Sequence, residues 1–463
     1  KELNLGKDKI NKLILSFSIP CVISMLINSI YNIVDQIFIG KGVGTLGNAA
    51  TNVIFPLIII FNAVAGLIGN GAAANLSLKL GEKNKKAAAK SIGQAVSLTI
   101  ILSIVISGIA YIFLPQLVYL FGCTESVYKY AVDYGRIIVI GAPFMLIYSS
   151  FSSIIRADGS PKYSMIMLVI GAIINIILDP IFIFIFNMGM TGAALATITG
   201  QIISFCISLR YMFHFKNIKL SGDSFNIKWC YCKNILILGA SACFNQIAMT
   251  IVQIVMNNTL SRYGAQSIYG GDIPLACAGI ITKVNMIFMS FVIGISQGTQ
   301  PVIGFNYGAR KYKRVKKTYL LALEAASFLS LIAFFCFQVF PRLIISVFGN
   351  GSELYFQFSE RYFRIYMFLT LINGIQPVTS NFFNSIGKSS LGVLLSLTRQ
   401  ILFLLPLIVI FPIFMGIDGV MYAGPIADAA AAIVCGYFTI RELKELTAKD
   451  KASNYPTKKI TYN

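Results

Sequence analysis

Apolar residues gather into twelve blocks of roughly 20 residues or more, each parted from the next by a short polar segment. A block of that length can cross a hydrocarbon core of about 30 Å as a single helix. The pattern predicts helices over residues 13–39, 49–78, 91–114, 130–155, 163–186 and 191–211, then over 235–260, 273–305, 319–340, 363–383, 390–414 and 419–440. The blocks fall six and six about a polar stretch. The expected organisation is an N-terminal lobe over 1–214, a linker over 215–233, a C-terminal lobe over 234–441 and a tail over 442–463.

The halves repeat one another. Met188-Gly-Met-Thr-Gly192 returns as Met415-Gly-Ile-Asp-Gly419, 227 residues on, each time just after an apolar block. Gly71 and Gly298, and Gly81 and Gly308, keep that offset; Gly159 and Gly387 stand 228 apart, Pro115 and Pro341 226 apart. Gly42 and Gly264 are only 222 apart, and the Gly270-Gly-Asp-Ile-Pro274 segment of the second half absorbs the difference, as surface loops do. A half with an even number of spans re-enters the membrane in the same orientation. The two lobes are therefore expected to be related by an axis along the membrane normal, with a path between them.

Composition settles the class. Residues of the chain are 56% hydrophobic and 12% charged, and the mean hydropathy is +0.74, values that describe an integral all-α membrane protein rather than a soluble domain. Lys and Arg number 38 against 18 Asp and Glu, and their placement predicts orientation. Lys1, Lys7, Lys9 and Lys12, the cluster from Lys79 to Lys90, Arg156, Lys162, the run from Arg210 to Lys233, Arg310 to Lys317, Lys388 and the tail from Arg441 fall on one side. The other side holds little beyond Lys41, Lys129, Arg262 and Arg342. The positive-inside rule puts both termini in the cytoplasm, and a basic balance confined to short loops argues against a nucleic-acid partner.

Several motifs carry less than they suggest. Gly42-Val-Gly44-Thr-Leu-Gly47 fits GxGxxG but follows no strand, and Cys230-Tyr-Cys232 has no second pair to complete a zinc site. The other cysteines sit mostly alone inside spans, so no disulfide is expected. His214 closes the sixth span at the polar surface and is assigned no ligand role. The first apolar block is too long for a cleavable signal and is read as the first span. No nucleophile, histidine base or metal cluster marks an enzyme, and no cofactor is expected.

The chemistry lies in the charges left inside the spans: Asp35, Asp179, Lys283, Glu324, Arg399 and Asp428. A charge at mid-bilayer is unfavourable by roughly 2.5 to 3.5 kcal/mol at the least, so such groups face a cavity or a partner. Asp35 lies 22 residues past residue 13 and Asp179 16 past residue 163, about 33 Å and about 24 Å along helices that rise about 1.5 Å per residue. Both reach the outer half of the membrane, with Asn175 one turn below Asp179 on the same face and Thr197 of the next span near that level. Two carboxylates, an amide and a hydroxyl in one dry lobe can ligate a sodium ion or hold a proton, and the acids would titrate together. The second half has no counterpart: Asn257 stands where Asp35 does in the first.

Pro20, Val34-Asp35-Gln-Ile-Phe-Ile-Gly40, Asn175-Ile-Ile-Leu-Asp179-Pro180, and in the second half Gln297-Gly-Thr-Gln-Pro301 followed by Asn306-Tyr-Gly308, together with two sets of six helices, resemble the multidrug and toxic compound extrusion family over nearly the whole chain. The resemblance is to the branch with its essential acids in the N-terminal lobe. It implies a bacterial plasma-membrane exporter of drugs and toxic organic cations, driven by H+ or Na+, in which Asp35, Asn175, Asp179 and Thr197 form the cation-coupling site. The other main bacterial branch carries acids in the seventh and tenth spans, where this chain has Asn245, Gln246 and Gln253 and no acid after Glu360.

Lys283, Arg399 and Asp428 fall near mid-depth of spans eight, eleven and twelve and are expected to form a buried charge network. Glu324 lies nearer the cytoplasm, as part of an inner gate or in an ion pair with Lys316 or Lys317. Met25, Tyr31, Met145, Tyr148, Gln246, Gln253, Met256, Met286 and Met289 are candidates to line the cargo cavity, because deformable methionines and aromatic faces accept lipophilic cations without fixed geometry. The chain is expected to act as a monomer in the lipid bilayer, by alternating access with Pro20, Pro56 and Pro180 as bending points. A flippase or exporter of lipid-linked or other amphipathic metabolites is the alternative, and a channel is a third.

Overall fold

The structure is a computed structural model that describes residues 4–348 and 351–454; Lys1 and the end of the tail, 455–463, lie outside the described residues. Among the described residues, eleven continuous helices are long and apolar enough to cross a membrane. We label the spans α1 (Ile10–Gly42), α2 (Thr45–Gly81), α3 (Lys85–Ile112), α4 (Glu125–Ala157), α5 (Pro161–Pro180), α6 (Gly189–Met212), α7 (Trp229–Ala265), α8 (Asp272–Gly308), α9 (Tyr312–Val339), α11 (Ser389–Met415) and α12 (Asp418–Asn454). The twelfth, α10, is broken into Glu353–Tyr366, Thr370–Asn373 and Ile375–Ser385.

That break departs from the continuous helix expected over 363–383. Pro377 has no amide to close the turn onto residue 373. Gly374, just ahead of it, lies so near α9 that a Cβ there would stand 2.9 Å from Ser330 Oγ. The first piece begins well before the expected start because Ser352 caps it, accepting from Tyr355 N at 3.2 Å. α12 runs on past its apolar block as one helix to Asn454. Glu442 and Glu445 on this extension both hold Lys388, at 2.6 and 2.8 Å, and Leu446 is buried.

Two spans leave the α-helical repeat. α5 passes after Pro180 into a π-helical turn, Ile181–Ile185, closed by Phe186 N donating to Ile181 O. α11 is π-helical over Thr398–Leu404. Such turns are uncommon in helices and are frequent at functional sites. Asp179 sits just before the first and Arg399 within the second.

The C-terminal half packs around one apolar core and the N-terminal half around two, one holding Ile54, Phe61 and Ile138, the other Ile68, Ile92 and Ile154. Exposed Ile104, Phe328, Phe414 and Ile433 make an apolar outer surface suited to lipid. Between halves, α1 packs on α8 and α2 on α7. α7 repeats α1 and α8 repeats α2, so each contact is the exchange of the other, as a twofold relation requires.

The repeated glycines are where those seams close. A Cβ on Gly298 would stand 2.5 Å from Ser18 Cα, and one on Gly294 2.6 Å from Val22 Cα. A Cβ on Gly71 would fall on the carbonyl of Ile235. Gly81 and Gly308 cross at the ends of α2 and α8, the first against the carbonyl of Phe305 and the second against that of Leu78. Only glycine lets two backbones approach so closely.

Candidate functional site

Asp35 and Asp179 come together. The carboxyl of Asp35, on α1, faces that of Asp179, at the end of α5, within hydrogen-bonding range. Asp179 is fully buried and Asp35 nearly so, and each keeps one oxygen, Oδ1, that no group among the described residues satisfies. Asn175, one turn earlier on α5, bridges to α6. In the amide orientation that satisfies both ends, its Nδ2 faces Asp179 Oδ2 at 3.2 Å, while its oxygen accepts from Thr197 N at 3.1 Å and Oγ1 at 3.0 Å. The four residues thus form one cluster built from α1, α5 and α6. Tyr31 and Tyr134 lie within electrostatic reach of both carboxyls; Tyr134, on α4, is a site neighbour that its sequence setting between Asp133 and Arg136 did not mark.

A cavity of about 420 Å³ opens between the halves. Asn175 and Thr197 line it, whereas the two carboxyls stand behind them, so the amide and hydroxyl form the wall between cavity and acids. Of the candidate lining residues, Met25, Tyr31, Tyr148 and Gln246 face the cavity. Met145 is buried in the N-terminal core and Met256 in the C-terminal core, where it accepts from Tyr362 Oη at 3.7 Å. Gln253 donates to Asn257 at 3.0 Å, and Met286 and Met289 are half-buried on α8 away from the lining.

The lining is mostly amide and hydroxyl, including Asn28, Asn62, Asn70, Gln297, Gln300 and Asn381. Its one charged residue, among the described residues, is Arg156, at the last turn of α4. Expected among the loop charges, Arg156 is instead 3% exposed. Its Nη2 donates to Ser153 Oγ and, across the halves, to Gln297 Oε1, both at 3.2 Å. It has no carboxylate partner among the described residues. Its loop-like sequence setting hid it, because α4 ends only at Ala157 and tips the side chain inward.

Arg399 and Asp428 form an ion pair between Arg399 Nε and Asp428 Oδ1, with Tyr366 beside the guanidinium. Lys283 is half-buried on α8 and joins no ion pair among the described residues; Glu324 is exposed on α9 and pairs with neither Lys316 nor Lys317. His214 is exposed, its Nδ1 3.1 Å from Arg210 O.

The halves are held together on the side that carries residues 213–228. Arg314 Nη2 donates to Leu5 O at 3.0 Å and Asp8 O at 2.7 Å, and Lys311 Nζ to Gly6 O at 2.7 Å. Toward the other side the last hydrogen bond between halves, among the described residues, is Ser29 to Ser290 at 2.7 Å.

A bundle of twelve spans, two six-helix halves and a polar cavity between them defines an integral membrane transporter. The chain matches the MatE family over residues 20–181 and 241–410 and belongs to it, a family of multidrug efflux transporters. Among its relatives, "Multidrug export protein MepA" of Staphylococcus haemolyticus (strain JCSC1435) is 25% identical over 452 residues, 96% of this chain and 97% of that one. A protein of Shewanella oneidensis named "FAD transporter" is 24% identical, covering 93% and 95%. Among solved structures, the multidrug transporter DinF-BH in complex with R6G superposes with a TM-score of 0.87 at 33% identity, over 95% of this chain and 97% of that one. A transporter of the MOP superfamily from Pyrococcus furiosus, described as having a binding pocket of reverse polarity, shares the fold with a TM-score of 0.89 at 22% identity, over 96% and 99%.

Proposed function

We propose that the chain exports lipophilic and amphipathic compounds, organic cations among them, in exchange for a proton held by Asp35 and Asp179. Two lobes, residues 1–214 and 234–441, rock about the cavity. The carboxyl-to-carboxyl contact carries this reading, because two carboxylates at hydrogen-bonding range in an apolar wall need a proton or a cation between them. Asn175 favours the proton: its amide hydrogens turn toward Asp179, which leaves a sodium ion the carboxylates but no neutral oxygen on that side. Asn175 touches both the cavity and Asp179, and Thr197 holds its other end, so protonation and cargo can sense one another through a single amide. The ion must bind the two states with different affinity for its gradient to drive the cycle.

The state described here is read as outward-open, with the linked side cytoplasmic, both termini inside and the protein a monomer in the plasma membrane. Arg156 and the relative named "FAD transporter" favour a second cargo class, amphipathic molecules that carry an acidic group.

The test is dye efflux in proteoliposomes under proton and sodium gradients imposed separately. Transport should follow the pH gradient alone in the parent and vanish in Asp35→Asn and Asp179→Asn, while dye binding persists. Gradient-driven efflux that survives in both variants removes the coupling site; efflux that follows sodium alone replaces the proton.

A further inference from the structure

A second cavity, of about 690 Å³, lies between the start of α3 and the 215–228 segment, and six lysines line it: Lys85, Lys86, Lys90, Lys216, Lys219 and Lys228. The one carboxylate in its wall, among the described residues, is Asp223. None of the six lysines forms an ion pair among the described residues. So many like charges drawn around one hollow repel one another, and an arrangement of that kind stays assembled only if the backbone holds it.

The backbone does hold it, at two places. At one end Asp158, buried after α4, accepts from Lys216 N at 2.7 Å and Asn217 N at 3.2 Å, and its carbonyl accepts from Asn217 Nδ2 at 2.6 Å. Burial pushes the Asp158 carboxyl above its ordinary range, and these bonds and that of Tyr211 offset the rise only in part. At the other end buried Gln94 of α3 gathers the turn at Gly222–Phe225: its Nε2 donates to Ser224 O at 3.0 Å and to Asn226 O, and its Oε1 accepts from Lys228 N at 2.7 Å. Ser97 Oγ adds a bond to Phe225 O at 3.0 Å. The segment expected as a polar linker is thus a shaped wall.

Apolar side chains flank the same segment. Phe213, Phe225, Ile227 and Trp229 are exposed, Trp229 by 71%. Aromatic residues at that position belong at the headgroup level of a bilayer, and a basic hollow beside them sits where lipid phosphates lie. Lysines that serve only to orient the chain during insertion need no hollow, no fixed wall and no aromatic flank.

The geometry points to a binding site for the phosphate headgroup of an anionic phospholipid, drawn from the leaflet on this side of the membrane. The lysines take the phosphate as point charges and the flanking aromatics take the upper acyl chain. The site is separate from the coupling acids and from the cargo cavity.

Trp229 is the chain's one tryptophan, so its emission reports on this place alone. The full-length protein in neutral detergent is titrated with phosphatidylglycerol, with phosphatidylcholine and with inorganic phosphate, and native mass spectrometry counts retained lipid as a second readout. A saturable response to phosphatidylglycerol alone is expected, weakened about tenfold or more in a Lys86→Gln/Lys216→Gln/Lys219→Gln variant that melts like the parent. Lys219→Glu alone serves if the triple variant does not fold. Equal responses to the two lipids, equal lipid retention by parent and variant, or full displacement by inorganic phosphate would each overturn the proposal, the last by making this a site for soluble anions.

Discussion

Replacing Gly298 by alanine tests whether the α1–α8 seam opens during transport. The new methyl would stand 2.5 Å from Ser18 Cα and 2.7 Å from Ser18 N, where carbon atoms settle at about 3.5 to 4.0 Å. The seam must part by about 1 Å, and the obstacle is backbone that cannot swing aside. Overpacking of this size is unfavourable by roughly 1 to 3 kcal/mol. The clash exists between the halves and not within either, so it penalises the closed seam alone. The balance should shift toward the opened form by about 5- to 150-fold. Cys21, one turn from Ser18 and 3% exposed, is the reporter in a variant that retains no other cysteine. A buried thiol reacts only while open, so its labelling by an impermeant maleimide should accelerate by the same factor. Gly108→Ala, where the methyl meets nothing within 4 Å, controls for the helix propensity gained. Unchanged Cys21 labelling in Gly298→Ala, or equal acceleration in Gly108→Ala, would refute the reasoning.

Two further predictions concern charges. Arg399→Leu or Asp428→Leu alone should destabilise the detergent-solubilised protein by about 3 to 5 kcal/mol, since each leaves an uncompensated buried charge, whereas the double replacement should recover most of it; additive losses in melting experiments would mean that the two groups do not depend on one another. Arg156→Gln should weaken binding of carboxyfluorescein about tenfold or more and leave rhodamine 6G unchanged or tighter, read by fluorescence polarisation at fixed protein concentration. The two dyes share a ring system and differ in charge, so parallel losses for both would assign Arg156 a structural role at the cavity floor.

The spans were legible because lipid demands long apolar runs, and ten of the twelve were placed to within seven residues by composition alone, α3, α4, α7 and α9 starting five to seven residues before the expected position. α10 and α12 were not, for local reasons: a glycine tight against α9 and a proline without an amide break the first, and an ion-paired polar extension lengthens the second. Asp35 and Asp179 could be matched by counting residues along two helices, since depth is a one-dimensional property. Arg156 could not, because one turn of helix decides whether a charge beside a loop points to water or into the cavity. The amide lining was equally hidden, scattered over many helices with no spacing in common. The repeated glycines were visible as repeats, but their use at the seams needed both halves in place.

The two seams have a consequence for leakage. Because α1 on α8 and α2 on α7 are exchanged by the same approximate twofold, a rocking of the lobes that preserves it, as proposed above, would loosen both seams together. Under the proposed mechanism such a gate would pass from sealed to open in a single step, without a narrow half-parted form through which protons could trickle and dissipate the gradient.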